Sequence, residues 1–158
     1  MTKNNLQMLK EIDDLRSSKI AKQLNISHCT YSQWENNKIP IPTRRLLDLA
    51  NFFKINIDYM LLLTPVKLDI DAQTPLDLVK IGAKLKELRN DLGLSLRELG
   101  AELNYSYSSL SSYERGEHLV QSDILISLCS KTNCSVDWVL GRTDQKYLHD
   151  YKKATKEK

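Results

Sequence analysis

Cysteine and histidine are too sparse in this sequence to build a disulfide framework or a metal centre. Three of each occur. Cys29, Cys129 and Cys134 are odd in number, lack CxxC spacing and have no histidine pair nearby, so they read as small neutral residues. His28, His118 and His149 are too dispersed to serve one nucleophile, and no glycine-rich phosphate loop is present; neither an enzyme nor a bound cofactor is expected. Long apolar runs are missing too. None approaches the roughly 18 residues that cross a bilayer, and Met1 to Lys10 is polar where a secretory signal is apolar. No membrane partner is expected, and the default location is cytoplasmic.

What is present suits folded domains: 41% of residues are apolar and 27% charged, a globular balance. The net charge of +3 is too small to announce nucleic acid by itself. Its distribution is more telling. Residues 1–64 carry nine Lys/Arg against six Asp/Glu, residues 80–143 eight of each, and the stretch from Pro65 to Val79 one lysine against three aspartates. From Asp144 onwards five lysines face three acids, with Lys152, Lys153, Lys156 and Lys158 forming a basic tail.

The strongest signal is internal. Shifting the sequence by 79 residues aligns residues 18–64 with 97–143 without a gap, and ten of the 47 pairs are identical: Leu24, Asn25, Ser27, Ser32, Glu35, Leu46, Leu49, Asp58, Leu61 and Thr64 meet the same residue in the second copy. Trp34 faces Tyr113 and Tyr59 faces Trp138. Two copies of one plan follow, each of a size that can fold alone. The expected organisation is one domain over 1–64, a linker over 65–76 with Pro65 and Pro75 near its ends, a second domain of the same plan over 77–143 and a basic tail over 144–158.

Apolar spacing at three and four residues, bounded by caps, predicts five helices per copy and no strand. In the second copy Ile81, Leu85, Leu88 and Leu92 mark the first helix. Ser95 with Glu98 opens the next as a capping box, and Ser106, Ser122 and Ser135 cap the remaining three. The first copy runs in parallel through Leu6, Leu9 and Ile12, then Ile20 and Leu24, then Tyr31 and Trp34, then Leu46 to Phe53, then Ile57 to Leu61. The second and third helices need a small residue where they cross, Ala21 or Gly100, and a turn residue tolerant of positive φ, Asn25 or Asn104.

The stretches Ser27 to Asn37 (SHCTYSQWENN) and Ser106 to Gly116 (SYSSLSSYERG), each followed by a fourth helix and then IDYMLL or VDWVLG, resemble the Cro and phage-repressor helix-turn-helix family. The resemblance covers about four fifths of the chain. It implies an all-α pair of tandem five-helix domains whose third helix enters the major groove of double-stranded DNA, with transcriptional regulation, commonly repression, as the role. That family often carries a glutamine just inside the second helix; Ser17 and Leu96 stand there, and leucine has no hydrogen bond to offer a phosphate.

With Tyr31 and Trp34 turned inward, helical geometry turns His28, Cys29, Ser32 and Gln33 outward behind Ser27. These are the base-reading candidates, Gln33 being suited to a paired contact with adenine. Ser17, Asn36 and Lys38 fall where backbone contacts are expected. In the second copy the same positions are Tyr107, Ser108, Ser111 and Ser112, with Arg115 as the cation at hand. A homodimer, with the neutral second copy as subunit contact, is a further expectation. The competing function is a protein-interaction module on the same fold, such as an antitoxin or an anti-defence accessory factor.

Overall fold

The computed structural model describes residues 3–71, 75–149 and 151. The chain divides into two compact units, Met1–Ala72 and Gln73–Lys158. The first is built from α1 (Leu6–Ile12), α2 (Ser17–Gln23), α3 (His28–Glu35), α4 (Thr43–Phe53) and α5 (Ile57–Met60); the second repeats the order with α6 (Leu78–Asp91), α7 (Leu96–Leu103), α8 (Tyr107–Glu114), α9 (Ser122–Thr132) and α10 (Val136–Val139). Extended structure among the described residues amounts to two isolated antiparallel bridges. The tandem all-α fold legible in the sequence is the fold observed.

Each unit closes on its own core. Leu6, Ile20, Tyr31, Leu46, Leu49 and Ile57 are buried in the first, and Leu85, Leu99, Leu110, Leu125, Leu128 and Val136 in the second, each contributing about 1.5–3 kcal/mol of burial. Ile12, counted with Leu6 and Leu9 on one stripe, is instead 62% exposed. Steps of three residues drift about 60° per step around an α-helix, so the third member of the series has left the inward face. At the position of Tyr31 the second unit has the smaller Leu110, and there a cavity of about 10 Å³ remains between Leu85, Leu99, Leu110 and Leu128.

Local chemistry fixes the helix ends. Ser27, Ser95, Ser106 and Ser135 each accept a backbone N–H three residues on, and Glu98 reciprocates to Ser95. Ser122 departs from expectation: it is the first helical residue behind Gln121, its side chain is buried, and it caps nothing. The turns between second and third helices pass through Asn25 at φ 55° and Asn104 at φ 58°, the left-handed region that asparagine tolerates. At the crossing, a Cβ on Gly100 would lie 2.6 Å from the Tyr105 carbonyl oxygen.

Both units extend beyond the boundaries that the repeat suggests. Asn56 donates its amide to the Val66 carbonyl at 3.1 Å and accepts from Leu68 N–H at 2.8 Å, and Ile70 N–H reaches the Lys54 carbonyl at 3.0 Å. The linker expected from residue 65 is therefore, over 66–70, a return segment of the first unit. Likewise Ser135 N–H donates to the Lys146 carbonyl and Leu148 N–H to that of Asn133, while Tyr151 is fully buried with its hydroxyl against that of Ser135. The expected tail from 144 thus begins as structure; its lysines at 152, 153, 156 and 158 lie outside the described residues.

The feature that orients each third helix is an ion pair to the first helix. Glu35, at the end of α3 and buried, holds Lys10 of α1, and Ser17 Oγ donates to its other oxygen at 2.7 Å while accepting from Lys10 Nζ at 3.1 Å. In the second unit Arg89 of α6 binds Glu114 of α8 through two N–H···O bonds, 2.6 and 3.1 Å, and spends a third on the Leu94 carbonyl at 2.8 Å. Both pairs obey the 79-residue offset.

Two outcomes follow for stability. Glu114→Ala should cost the second unit about 3 kcal/mol or more by stranding Arg89, whereas Arg89→Met with Glu114→Leu should recover most of that loss. Tyr151→Ala should lower the same unit by about 3–5 kcal/mol through the cavity it leaves. Urea unfolding read by Trp138 emission in a Trp34→Phe background measures both.

Candidate nucleic-acid interface

In the first unit the clamp on Glu35 and the inward Tyr31 and Trp34 leave one side of α3 free. His28 and Cys29 are exposed, Ser32 and Gln33 half-buried, and Asn36 and Lys38 exposed. Ser27 is exposed, but its hydroxyl is engaged in capping: it accepts from Thr30 N–H at 3.0 Å and lies 2.8 Å from the Thr30 hydroxyl. Asn36 is tethered, donating to the Ser32 carbonyl at 2.8 Å and accepting from Gln7 at 3.1 Å. Lys38 has no ion-pair partner among the described residues. Arg45, by contrast, is occupied by the Leu24 carbonyl and Asp48.

Ser17 is placed differently from its expected use. Its hydroxyl belongs to the Lys10–Glu35 clamp, so what it supports is the pose of α3. Tyr31 lies beneath the same surface, fully buried, with a hydroxyl that meets no hydrogen-bond partner among the described residues. Burial first, and the nearby Glu35 second, push this phenol far above its ordinary range, so it stays neutral and holds α3 by packing alone.

The second unit differs more from its expected surface. Tyr107 is 52% exposed and Ser108 is exposed, but Ser111 is only 8% exposed and does not face outward. Its hydroxyl is bonded to Arg115, whose guanidinium also grips Glu117 through bonds of 2.8 and 3.0 Å. The charge expected from Arg115 is therefore neutralised within the unit. Ser112 turns its hydroxyl back to the Ser109 carbonyl at 2.7 Å, and Leu96 is half-buried.

Sequence reasoning overlooked the clamp residues Lys10, Glu35, Arg89 and Glu114, and it overlooked Arg97. The signal for the clamp was available: extended towards the N-terminus, the 79-residue register also pairs Leu6 with Leu85, Leu9 with Leu88 and Lys10 with Arg89, so a cation persists opposite an identical glutamate. Arg97 carries no such mark, because its partner in the first copy is Ser18. Its guanidinium stands 5.7 Å from the centroid of the Tyr107 ring.

Parts of the chain are similar to known proteins. Over 66 residues the chain is 33% identical to the HTH-type transcriptional regulator ImmR of Bacillus subtilis (strain 168), a match that takes in 42% of this chain and 52% of that protein. The chain thus spans about half the length of this curated relative. The crystal structure of the clp gene regulator ClgR from C. glutamicum matches 44% of this chain and 90% of its own at 39% identity, with a TM-score of 0.37. The helix-turn-helix family model matches twice, over residues 14–60 and 85–139. These two regions fall one in each structural unit and together exceed half the chain: the protein belongs to the helix-turn-helix family.

Proposed function

We propose that this chain is a sequence-specific DNA-binding regulator of transcription, of repressor type, and that its first unit lays the start of α3 in the major groove. The observation that carries this is the outward row His28, Cys29, Ser32 and Gln33, in which Ser32 Oγ also accepts from the Asn36 amide at 3.3 Å, on a helix clamped from behind by Lys10 and Glu35. A groove-reading helix must offer polar side chains at base height and be held rigidly while it does so. Gln33 has the paired donor and acceptor that match adenine, and His28 and Ser32 donate or accept one bond each. Lys38, unpaired beside them, and Asn36 contact the phosphate backbone and set the register without reading sequence. Ser17 and Ser27 act indirectly, through the clamp and the helix cap. Family membership and the likeness to a Bacillus transcriptional regulator support the same assignment. In the second unit Tyr107, Ser108 and Ser112 are the candidates, Ser111 and Arg115 being turned inward or neutralised.

Selection of bound sequences from random duplexes, with the full chain, supplies the preferred site. Gln33→Ala is then expected to lose about 1–3 kcal/mol on that site and almost nothing on random DNA. Lys38→Ala should weaken both alike and flatten the dependence of log K on log salt by about 0.9. Equal losses for Gln33→Ala on both DNAs contradict its role as a reader. Tight capture of a protein partner with no DNA retention at low salt overturns the assignment in favour of a protein-interaction module.

A further inference from the structure

The cations of the second unit are nearly all spent within it. Arg89 holds Glu114, Arg115 holds Glu117, Lys131 holds Glu102, Arg142 holds Asp137 and Lys146 holds both Glu87 and Asp91, while Lys80 lies 4.0 Å from Asp77. Lys84 donates to the Trp138 carbonyl at 2.6 Å. Among the described residues of this unit, that leaves Lys86 and Arg97 with neither an acid nor a carbonyl. Lys86 sits midway along α6. Arg97 is the second residue of α7 and stands over the ring of Tyr107, the first residue of α8.

This pairing is informative because both members are exposed. A guanidinium laid on an aromatic face keeps its N–H edges free, and the stacking removes rotational freedom that a bare arginine would lose on binding. Those edges match two oxygens of one phosphodiester. The site borders the N-terminal end of α8, where the helix dipole and the exposed Ser108 favour an anion as well. One residue earlier, Leu96 is half-buried and its side chain has no donor, so Arg97 is the charged side chain that the start of α7 offers an anion. We propose that Arg97, held against Tyr107, is the phosphate clamp of the second unit, which therefore grips double-stranded DNA through its backbone and without relying on Arg115. The inference rests on the DNA-binding function proposed above and assigns the second unit a share in it.

The test uses the full chain and a mixed-sequence duplex of about 30 base pairs, with affinity measured from about 50 to 200 mM salt. Arg97→Ala is expected to reduce the salt slope by about 0.9, so that its affinity falls roughly 3–4-fold less than the parent's across that range. Arg97→Lys should keep the slope with weaker binding, since an ammonium retains the charge but not the planar fork. Tyr107→Leu should weaken binding and leave the slope in place. Thermal unfolding followed at Trp138 checks that each variant folds like the parent. An unchanged slope for Arg97→Ala, with Lys38→Ala still flattening it, overturns the second-unit clamp and leaves DNA binding by the first unit intact. A parent chain with no salt-dependent affinity at all removes both.

Discussion

A carboxylate sunk at the end of the third helix, and the first-helix cation that meets it, set the geometry on which each unit depends. Glu35 and Glu114 sit where little water reaches them, and an unpaired charged group in such a place costs several kcal/mol of desolvation. The cation must be brought to them, and bringing it fixes the angle between first and third helices. In the first unit Ser17 joins the pair, so the start of α2 is fixed by the same carboxylate. In the second unit Arg89 does more by itself, reaching the glutamate with two nitrogens and the Leu94 carbonyl with the third. Lysine with a serine helper and arginine without one are two solutions to the same electrostatic requirement.

Much of this was legible in the amino-acid order because the elements involved are local. Helix existence follows from apolar spacing, the turns from Asn25 and Asn104, and the caps from Ser27, Ser95, Ser106 and Ser135, all interactions spanning a few residues. What escaped was long-range or competitive. Periodicity could not tell that Arg115 pairs with Glu117, nor that Ser111 is buried with its hydroxyl bonded to the same guanidinium. The return segments 66–70 and 144–149 escaped because they pair through backbone groups and, beyond the second, the buried Tyr151, which leave no repeat in the side-chain pattern. Ile12 was misplaced by counting threes where a helix needs threes and fours.

The two surfaces have diverged in kind although their scaffolds agree. The first keeps an unpaired lysine beside an amide, a hydroxyl and an imidazole, a mixture suited to discriminating partners by hydrogen bonds. The second has internalised most of its charge in ion pairs and retains an aromatic ring with one guanidinium on it. Surface ion pairs such as Arg115 with Glu117 add little stability, so their main consequence here is to silence charge at that end of α8. Tandem duplication permits such division, since one copy can hold the original task while the other changes its face.

The closing segments carry a different consequence, for how a chain with two like domains avoids confusing them. In the first unit the strap is received by the side-chain amide of Asn56, whose counterpart Ser135 receives its own strap with a hydroxyl and the ring of Tyr151. The backbone pairing itself is the same in both: Asn56 N–H meets the Leu68 carbonyl and Ser135 N–H that of Lys146, the second strap arriving through a connection one residue shorter. Each domain is thus closed on the same backbone pattern by a different side-chain chemistry, an amide for backbone groups in one and a hydroxyl for a phenol in the other, so each strap is matched to its own receiving residue.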